Sequence, residues 1–313
     1  MAKREIKDIT ESIRTRLKNI AGSSGREFDA VLLQYFQERF LYRVSISEFN
    51  ENFILKGALL LMVKSISPFR PTKDIDFLGK GIDSDPGKIK MLVGKIAGID
   101  YNDGVHFVPD SIETFVIKEG AEYEGVRVKI ESRLGKIRKT VALDIGFGDS
   151  IYGGPEEFNF PVLLDFHVPK IKCYTYETII AEKFQAIVWL NFQTSRMKDF
   201  FDILFLAETC TFQANRLRNA IIETFEKRDT AIERRVTIFS NEFKNDSSKQ
   251  TQWAAFMRKT SLTAEPQFKK VVEKLEAFLG PIFEMVRNED KNYTWDKEKW
   301  QWIIPHLSSH SIT

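Results

Sequence analysis

Two aspartates one residue apart, Asp74 and Asp76, constrain the fold of this chain more than any other feature. Side chains alternate between the two faces of a strand, so both carboxylates would point one way while Ile75 and Phe77 point into the core. Neighbouring carboxylates repel each other, and a divalent cation between them relieves the repulsion. The pair therefore predicts a metal-binding strand, with the exposed face of an edge strand as the alternative.

A glycine-containing turn precedes this strand. Residues 53–56 are apolar enough for a short buried strand, Gly57 permits a sharp turn, and residues 58–63 have the composition of a helix. Free backbone N–H groups in such a turn bind phosphates. The turn formed by Lys56, Gly57 and Ala58 is accordingly predicted to contact a phosphate.

A third acid, Asp144, lies within a later apolar strand that spans residues 140–147. A carboxylate in such a strand needs a partner. A metal shared with the first two acids would be one. The alternative is a salt bridge to Arg127 or Lys129, which lie in a strand of strict period two.

Periodicity predicts a mixed part followed by a helical part. Strands follow one another between residues 105 and 147. Helical spacing of apolar residues predicts helices at 6–20, 27–42, 88–96, 176–192, 196–209, 214–228, 230–243, 248–260 and 266–288. This pattern predicts an α+β fold, with a mixed β-sheet domain and flanking helices at residues 1–165 and an α-helical domain at residues 166–313.

Composition excludes several classes of protein. A net charge of +2 over 313 residues argues against a non-specific nucleic-acid coat. The two cysteines, Cys173 and Cys210, form no CxxC motif, which argues against a structural zinc site and a disulfide scaffold. No apolar run is long enough to cross a membrane, and the charged N-terminus is unlike a signal peptide. We therefore expect a cytoplasmic protein without a membrane anchor.

Three carboxylates at one site can hold two Mg²⁺ ions, which can clamp the attacking and leaving oxygens of an in-line phosphoryl or nucleotidyl displacement. Cations are then needed for the rest of the triphosphate. Lys183, on the first helix of the second domain, is the candidate that could reach the phosphates across a cleft. The alternative for Lys183 is a solvated pair with Glu182 or Glu177.

Two further features of the helical part each allow two interpretations. The tryptophans Trp295, Trp300 and Trp302 indicate a docking tail or core plug, with base stacking as the alternative. Scattered basic residues could form a phosphate-contacting face or an ordinary surface. They are Arg216, Arg218, Lys227, Arg228, Arg234, Arg235, Lys269 and Lys270.

Several motifs together resemble the AbiEii/AbiGii toxin family, nucleotidyltransferase-like members of the DNA polymerase β superfamily related to the MenT toxins. They are KGA, RPTKDID, the later acid in an apolar strand, YETIIAEK and RMKDFFDI, and the resemblance covers roughly residues 30–210. It implies a nucleotidyltransferase domain with an NTP as substrate. Ala58 stands where the superfamily has a serine.

The resemblance also implies roles for individual residues. The metal acids would be Asp74, Asp76 and Asp144, and the further catalytic residues would be Lys183 and either Asp199 or Asp202. The implied nucleotide contacts are Lys56, Gly57, Ala58, Arg70, Thr72, Lys183, Arg196 and Lys198.

Such toxins act in toxin–antitoxin systems or abortive phage defence. For some relatives the acceptor is the 3′ end of tRNA, and a cognate antitoxin encoded beside the toxin neutralises it. Two alternatives accompany this interpretation. One is a protein nucleotidylating enzyme with a Ser, Thr or Tyr acceptor, and the other is a catalytically silent nucleotide-binding module.

Overall fold

The computed structural model of this chain describes residues 9–62, 72–119, 123–260, 265–285 and 293–304. The chain forms two compact units. One comprises Met1–Asp149 and Pro155–Tyr174, and the other comprises Ser150–Gly154 and Thr175–Thr313. The domain boundary predicted after residue 165 falls near the end of the first unit.

The first unit combines helices with a sheet. Its helices are α1 (Ile9–Ser24), α2 (Phe28–Ile46), α3 (Gly57–Leu61) and α4 (Pro86–Ala97). Its strands are β1 (Phe53–Lys56), β2 (Asp74–Gly79), β3 (Val105–Phe107), β4 (Glu113–Glu119), β5 (Tyr123–Leu134), β6 (Ile137–Phe147), β7 (Glu156–Asn159) and β8 (Lys170–Cys173).

Strands β1–β8 form one mixed sheet in the order β3-β5-β6-β2-β1-β8-β7, and β4 also pairs with β5. The pairs β2–β6 and β1–β8 are parallel, and the others are antiparallel. The strand that carries Asp74 and Asp76 is therefore central, lying between β1 and β6. The alternative of an edge strand is wrong.

Alternation of apolar and polar residues explains how the central strands are oriented. Ile75 and Phe77 of β2 are fully buried, whereas Asp74 and Asp76 on the other face are partly exposed. Buried residues alternate in the same way along β6, where Asp144 is partly exposed. On β5 the residues that face the core are Val126, Val128 and Ile130.

A buried ion pair fixes α2 to the segment before β3. Arg43 donates two hydrogen bonds to the carboxylate of Asp103, at 2.8 and 3.1 Å, and both side chains are almost completely buried. The hydroxyl of Tyr35 also donates to the backbone carbonyl of Asp103. A buried charge is tolerated when it is paired and hydrogen bonded in this way, so the contact specifies where α2 packs.

The second unit is mainly helical. Its helices are α5 (Tyr176–Leu190), α6 (Met197–Thr209), α7 (Ala214–Lys227), α8 (Arg235–Ile238), α9 (Asn241–Lys244), α10 (Ser247–Thr260), α11 (Phe268–Leu279) and α12 (Ile282–Met285). The strands β9 (Thr294–Asp296) and β10 (Gln301–Ile303) form a separate antiparallel pair. Helix α5 packs against α6 and α7. Thr175 caps its N-terminus, with its hydroxyl accepting a hydrogen bond from the Thr178 amide.

The tryptophans of the β9–β10 pair pack on α11. Trp295 is 1% exposed, and its indole N–H donates to the carbonyl of Ala207. The ring of Trp302 stacks on Phe278 at a centroid distance of 5.7 Å. The burial of Trp295 favours a core plug for this residue, because a buried indole cannot stack on a base, whereas Trp300 and Trp302 are partly exposed.

The α+β prediction is confirmed, with three differences in detail. The helix predicted over 230–243 is divided into a short 3₁₀ turn, α8 and α9, and the one over 266–288 is divided into α11 and α12, with its last residues outside the described ones. The strands β7–β10 were not predicted. No helix in the described part of the chain has the length and apolar character that a membrane span requires.

Candidate active site

Four charged residues lie in one row across the centre of the sheet. Lys56 of β1 is paired with Asp76 of β2, Asp76 with Asp144 of β6, and Asp144 with Arg127 of β5. Residues directly opposite each other on neighbouring strands project from the same face. We call Lys56, Asp76, Asp144 and Arg127 the charged row. Its order places two carboxylates side by side between two cations.

Asp74 lies on the same face as the charged row, two residues before Asp76 on β2. Just upstream, the hydroxyl of Thr72 donates to the carbonyl of Asp74 at 3.3 Å, and the side-chain amide of Gln37 donates to the carbonyl of Thr72 at 3.4 Å. These contacts hold the entry to β2. Arg70, the other predicted nucleotide contact here, lies outside the described residues.

Gly57 is in direct contact with the carboxylate of Asp76. Its φ is +68°, and a Cβ at this position would lie 2.0 Å from Oδ2 and 2.6 Å from Cγ of Asp76. Only glycine combines this backbone conformation with such a close approach. The neighbouring Ala58 is 4% exposed and belongs to the core.

Asp144 makes the salt bridge that the sequence left as an alternative to metal binding, and the partner is Arg127 rather than Lys129. The guanidinium donates from Nε and Nη2 to the two carboxylate oxygens, at 2.7 and 2.6 Å. The hydrogen bond to Asp144 raises the pKa of Arg127, as do the charges of Asp144, Asp74 and Asp76, against a smaller opposing effect of burial. The three acids thus act on one guanidinium.

At the other end of the row, Lys56 is held by residues that sequence reasoning missed. Its Nζ lies 2.8 Å from Oδ2 of Asp149, and the hydroxyl of Tyr174 donates to the same oxygen at 3.3 Å. The ammonium also lies over the Tyr174 ring, 5.5 Å from its centroid. The sequence contained one signal for Asp149, because this acid closely follows the predicted strand that carries Asp144.

A second charged cluster lies within the helical unit. Lys183 of α5 is bonded to both acids of α6, with Nζ 3.0 Å from Oδ1 of Asp199 and 2.8 Å from Oδ2 of Asp202. Both carboxylates are 0% exposed, and the lysine side chain is 12% exposed. The structure thus places both candidates for the distal acid on the same lysine.

The alternative pairing of Lys183 with its helix neighbours is wrong. Glu177 is paired with Arg216 at 3.3 Å, and Glu182 is paired with Arg228 at 2.8 Å. Both arginines are among the basic residues that could form a phosphate-contacting face. These ion pairs balance their charges at least partly within the unit. Neighbours in sequence point away from one another on a helix, whereas α6 packs directly against α5.

Asp199 also has a cation at the residue that precedes its own helix. Arg196 donates from Nε to Oδ2 of Asp199, and Lys198, which is exposed, adds its charge nearby. Burial alone would raise the pKa of Asp199. The charges of Lys183 and Arg196, with the hydrogen bond from Arg196, outweigh burial and lower this pKa to about 2.

Asp74 and the two acids of the charged row have the donor chemistry for a hard divalent cation. Asp74, Asp76 and Asp144 offer only oxygen ligands, which Mg²⁺ prefers. Among the described residues, no group of three or more His, Cys, Asp or Glu side chains is arranged to hold a metal ion. Both oxygens of Asp144 are bonded to Arg127, so the third acid could join a ligand set only if Arg127 released it.

The structure thus brings the predicted site residues together in two groups. The first contains Lys56, Gly57, Asp74, Asp76 and Asp144, with Arg127 as an addition. The second contains Lys183, Arg196, Asp199 and Asp202, and it lies in the other unit.

Comparison with known proteins gives a family match over most of the chain. Residues 39–278 match the family described as the nucleotidyl transferase AbiEii toxin of type IV toxin–antitoxin systems. The chain matches none of the curated proteins with which it was compared.

Two solved structures from Helicobacter pylori are similar. The crystal structure of JHP933 is 13% identical, with a TM-score of 0.47, and the match covers 84% of this chain and 95% of that one. A protein described as a candidate nucleotidyltransferase is 15% identical, with a TM-score of 0.48, and the match covers 83% of this chain and 97% of that one. Likenesses at this level carry no functional conclusion.

Proposed function

Because the chain belongs to the AbiEii family of nucleotidyltransferase toxins from type IV toxin–antitoxin systems, we propose that it transfers a nucleotide from an NTP to the 3′ end of tRNA with the help of Mg²⁺. The family supplies the reaction class, the NTP and the existence of an antitoxin. The tRNA acceptor, the choice of Mg²⁺, two ions, neutralisation by a cognate antitoxin, abortive phage defence and a cytoplasmic location are our proposals.

The observation that carries the proposal is the charged row with Asp74 beside it. Like charges on adjacent positions of a sheet are destabilising, so two adjacent carboxylates with a third two residues away need a counter-charge. Arg127 balances Asp144 directly. A site that bound no cation would have little reason to concentrate three acids on one face.

Each residue of this face has a task in nucleotidyl transfer. Asp74 and Asp76 would hold Mg²⁺, and Asp144 would join them after leaving Arg127. Bound Mg²⁺ would withdraw electron density from the phosphate oxygens and offset their charge. Lys56 and Arg127, at the two ends of the row, are cations suited to triphosphate oxygens. The acceptor hydroxyl then gives up its proton to water while its oxygen bonds to the α-phosphorus, the bond from that phosphorus to the α–β bridging oxygen breaks, and pyrophosphate leaves with that oxygen.

Lys183 and the acids around it are proposed to serve the same reaction. The two buried carboxylates fix the direction of the lysine side chain, which otherwise has several rotatable bonds. A lysine fixed in this way suits the binding of a phosphate at a defined position. Arg196 and Lys198 are proposed as further phosphate contacts, with Asp199 as the acid that orients Lys183 and Arg196.

The test is incubation of the purified protein with each α-labelled NTP and total tRNA, with and without Mg²⁺. We expect one or more NTPs to label tRNA only when Mg²⁺ is present. The matched variants are Asp76→Asn, which removes a carboxylate of the row, and Asp110→Asn, which changes an exposed acid of the same unit. The first is expected to abolish labelling and the second to leave it unchanged.

The outcomes separate the alternatives. Label in protein but not in tRNA would favour a protein nucleotidylating enzyme. A silent nucleotide-binding module would give no label in either fraction, and any thermal stabilisation of it by an NTP would not depend on Mg²⁺. Equal labelling by wild type and Asp76→Asn would contradict the assignment of the site.

A further inference from the structure

A residue outside the charged row binds the ammonium of Lys56. Lys56 is paired with Asp76 in the sheet, and its Nζ lies 2.8 Å from a carboxylate oxygen of Asp149. The side chain of Lys56 is 14% exposed and that of Asp149 is 8% exposed. An ion pair with little access to water is screened less than a surface pair, so it constrains the position of the lysine.

Tyr174 is the second residue that contacts the Lys56 ammonium, and the sheet fixes the position of Tyr174. It directly follows β8, and its backbone amide donates to the carbonyl of Leu55, next to Lys56. The hydroxyl donates to the Asp149 oxygen that also binds the lysine, and the ring faces the ammonium. Lys56 is therefore held by a carboxylate and by an aromatic face, both of which attract a cation.

Gly146 provides space for this arrangement. It lies on β6 two residues after Asp144 and therefore on the same face as the charged row. A Cβ on Gly146 would lie 3.5 Å from Nζ of Lys56. The lysine side chain thus lies across the end of β6, next to the two central acids rather than in open solvent.

We propose that Asp149 is a positioning residue, assisted by Tyr174, which holds the Lys56 ammonium where the phosphates of the NTP bind. The inference rests on the proposed function for its ligand, an NTP. Asp149 follows β6 and lies outside the row, so it can orient Lys56 without supplying a metal ligand. Holding a lysine in its binding position beforehand reduces the ordering that binding must otherwise impose.

The test is a double-mutant cycle with Asp149→Asn and Lys56→Met. Asparagine keeps the size and an acceptor oxygen but loses the charge, so Lys56 becomes less well held. We expect Asp149→Asn to raise KM for the NTP about tenfold with a smaller change in kcat, as for a lost binding interaction. In the Lys56→Met background, the same change should have almost no effect, because the lysine through which Asp149 acts is absent.

Tyr174→Phe is the second variant, because it removes only the hydroxyl and leaves the ion pair and the ring. It should raise KM less than Asp149→Asn, and should also be silent in the Lys56→Met background. An Asp149 effect of the same size with and without Lys56, or one confined to thermal stability, would overturn the inference and leave the proposed function standing.

Failure of the proposed function gives a different result. If wild type transfers no nucleotide, binding of inorganic tripolyphosphate is compared among wild type, Asp149→Asn, Lys56→Met and the double variant. Weaker binding by Asp149→Asn that disappears in the Lys56→Met background would support the positioning role. Equal effects in both backgrounds, or no binding by wild type, would overturn it.

Discussion

Replacement of Gly57 by alanine tests whether the turn after β1 positions the carboxylate of Asp76. The added Cβ would lie 2.0 Å from Oδ2, 2.6 Å from Cγ and 2.8 Å from Cβ of Asp76. Because the contact includes the base of a short side chain, rotation of the carboxylate alone cannot remove it. Either Asp76 or the turn must move.

Two contributions set the size of the effect. An alanine at φ +68° is strained by about 1–2 kcal/mol relative to glycine. Inserting a methyl group into occupied space adds roughly 1–3 kcal/mol. We therefore expect Gly57→Ala to lower the free energy of unfolding by about 2–5 kcal/mol. A displacement of about 1 Å at a reacting site can lower activity roughly 100-fold.

Gly25→Ala is the matched control. Gly25 has nearly the same φ, +66°, and a Cβ there would meet no atom within 4 Å. It shares the backbone strain without the steric contact, so its expected loss is only about 1–2 kcal/mol, with nucleotide transfer unchanged. Urea unfolding gives the stabilities, and labelled-NTP transfer gives the activities at a temperature where both variants are folded.

The comparison between the two alanine variants can refute the reasoning. If both lose the same stability and retain the same activity, the Gly57 contact does not position Asp76. If Gly57→Ala is the less stable variant but transfers nucleotide at the wild-type rate, then the position of Asp76 is not important for the reaction.

Three further variants probe the charge clusters. Lys183→Met leaves two buried carboxylates without that cation, so urea unfolding should show that the free energy of unfolding falls by roughly 3–5 kcal/mol. The control, Lys198→Met at an exposed lysine, should lose less than about 0.5 kcal/mol, and similar losses for the two variants would contradict this prediction. The pKa of Asp199 falls from its ordinary 3.8 to about 2 in the folded protein, so its ionisation stabilises the fold by about 2 kcal/mol at neutral pH, and protonation removes about 1 kcal/mol of this by pH 3. The stability difference between wild type and Asp199→Asn should therefore narrow in acid, and a constant difference would contradict the pKa. Arg127→Gln should release Asp144 and lower the Mg²⁺ concentration needed for half-maximal thermal stabilisation, whereas Lys129→Gln should leave this concentration unchanged. A higher concentration for Arg127→Gln would show that Arg127 does not compete with the ion for Asp144.

The parts of the fold that depend on local pattern were predictable. Alternation along β2 is a property of the strand itself, so the sequence alone placed Asp74 and Asp76 on one face and Ile75 and Phe77 in the core. The long amphipathic helices α5 and α6 were predictable for the same reason.

The parts that depend on distant pairing were not predictable from pattern. The register that places Asp144 beside Asp76 and opposite Arg127 depends on residues far apart in sequence. Asp149 was missed because its partners, Lys56 and Tyr174, are brought to it by the sheet.

Short strands and wrong pairings have a similar explanation. The strands β7 and β8 have four residues each and are too brief to show a period. The expectation that Lys183 pairs with Glu177 or Glu182 considered only its own helix, whereas the acids that bind it come from α6.

The central claim is that the acids beside Gly57 enable nucleotide transfer, and its most direct test is the Mg²⁺-dependent rate at which α-labelled NTP is incorporated by wild type, Asp74→Ala and Asp76→Ala. The account predicts incorporation by wild type and none above background by either folded variant. Incorporation by both variants at the wild-type rate would contradict it.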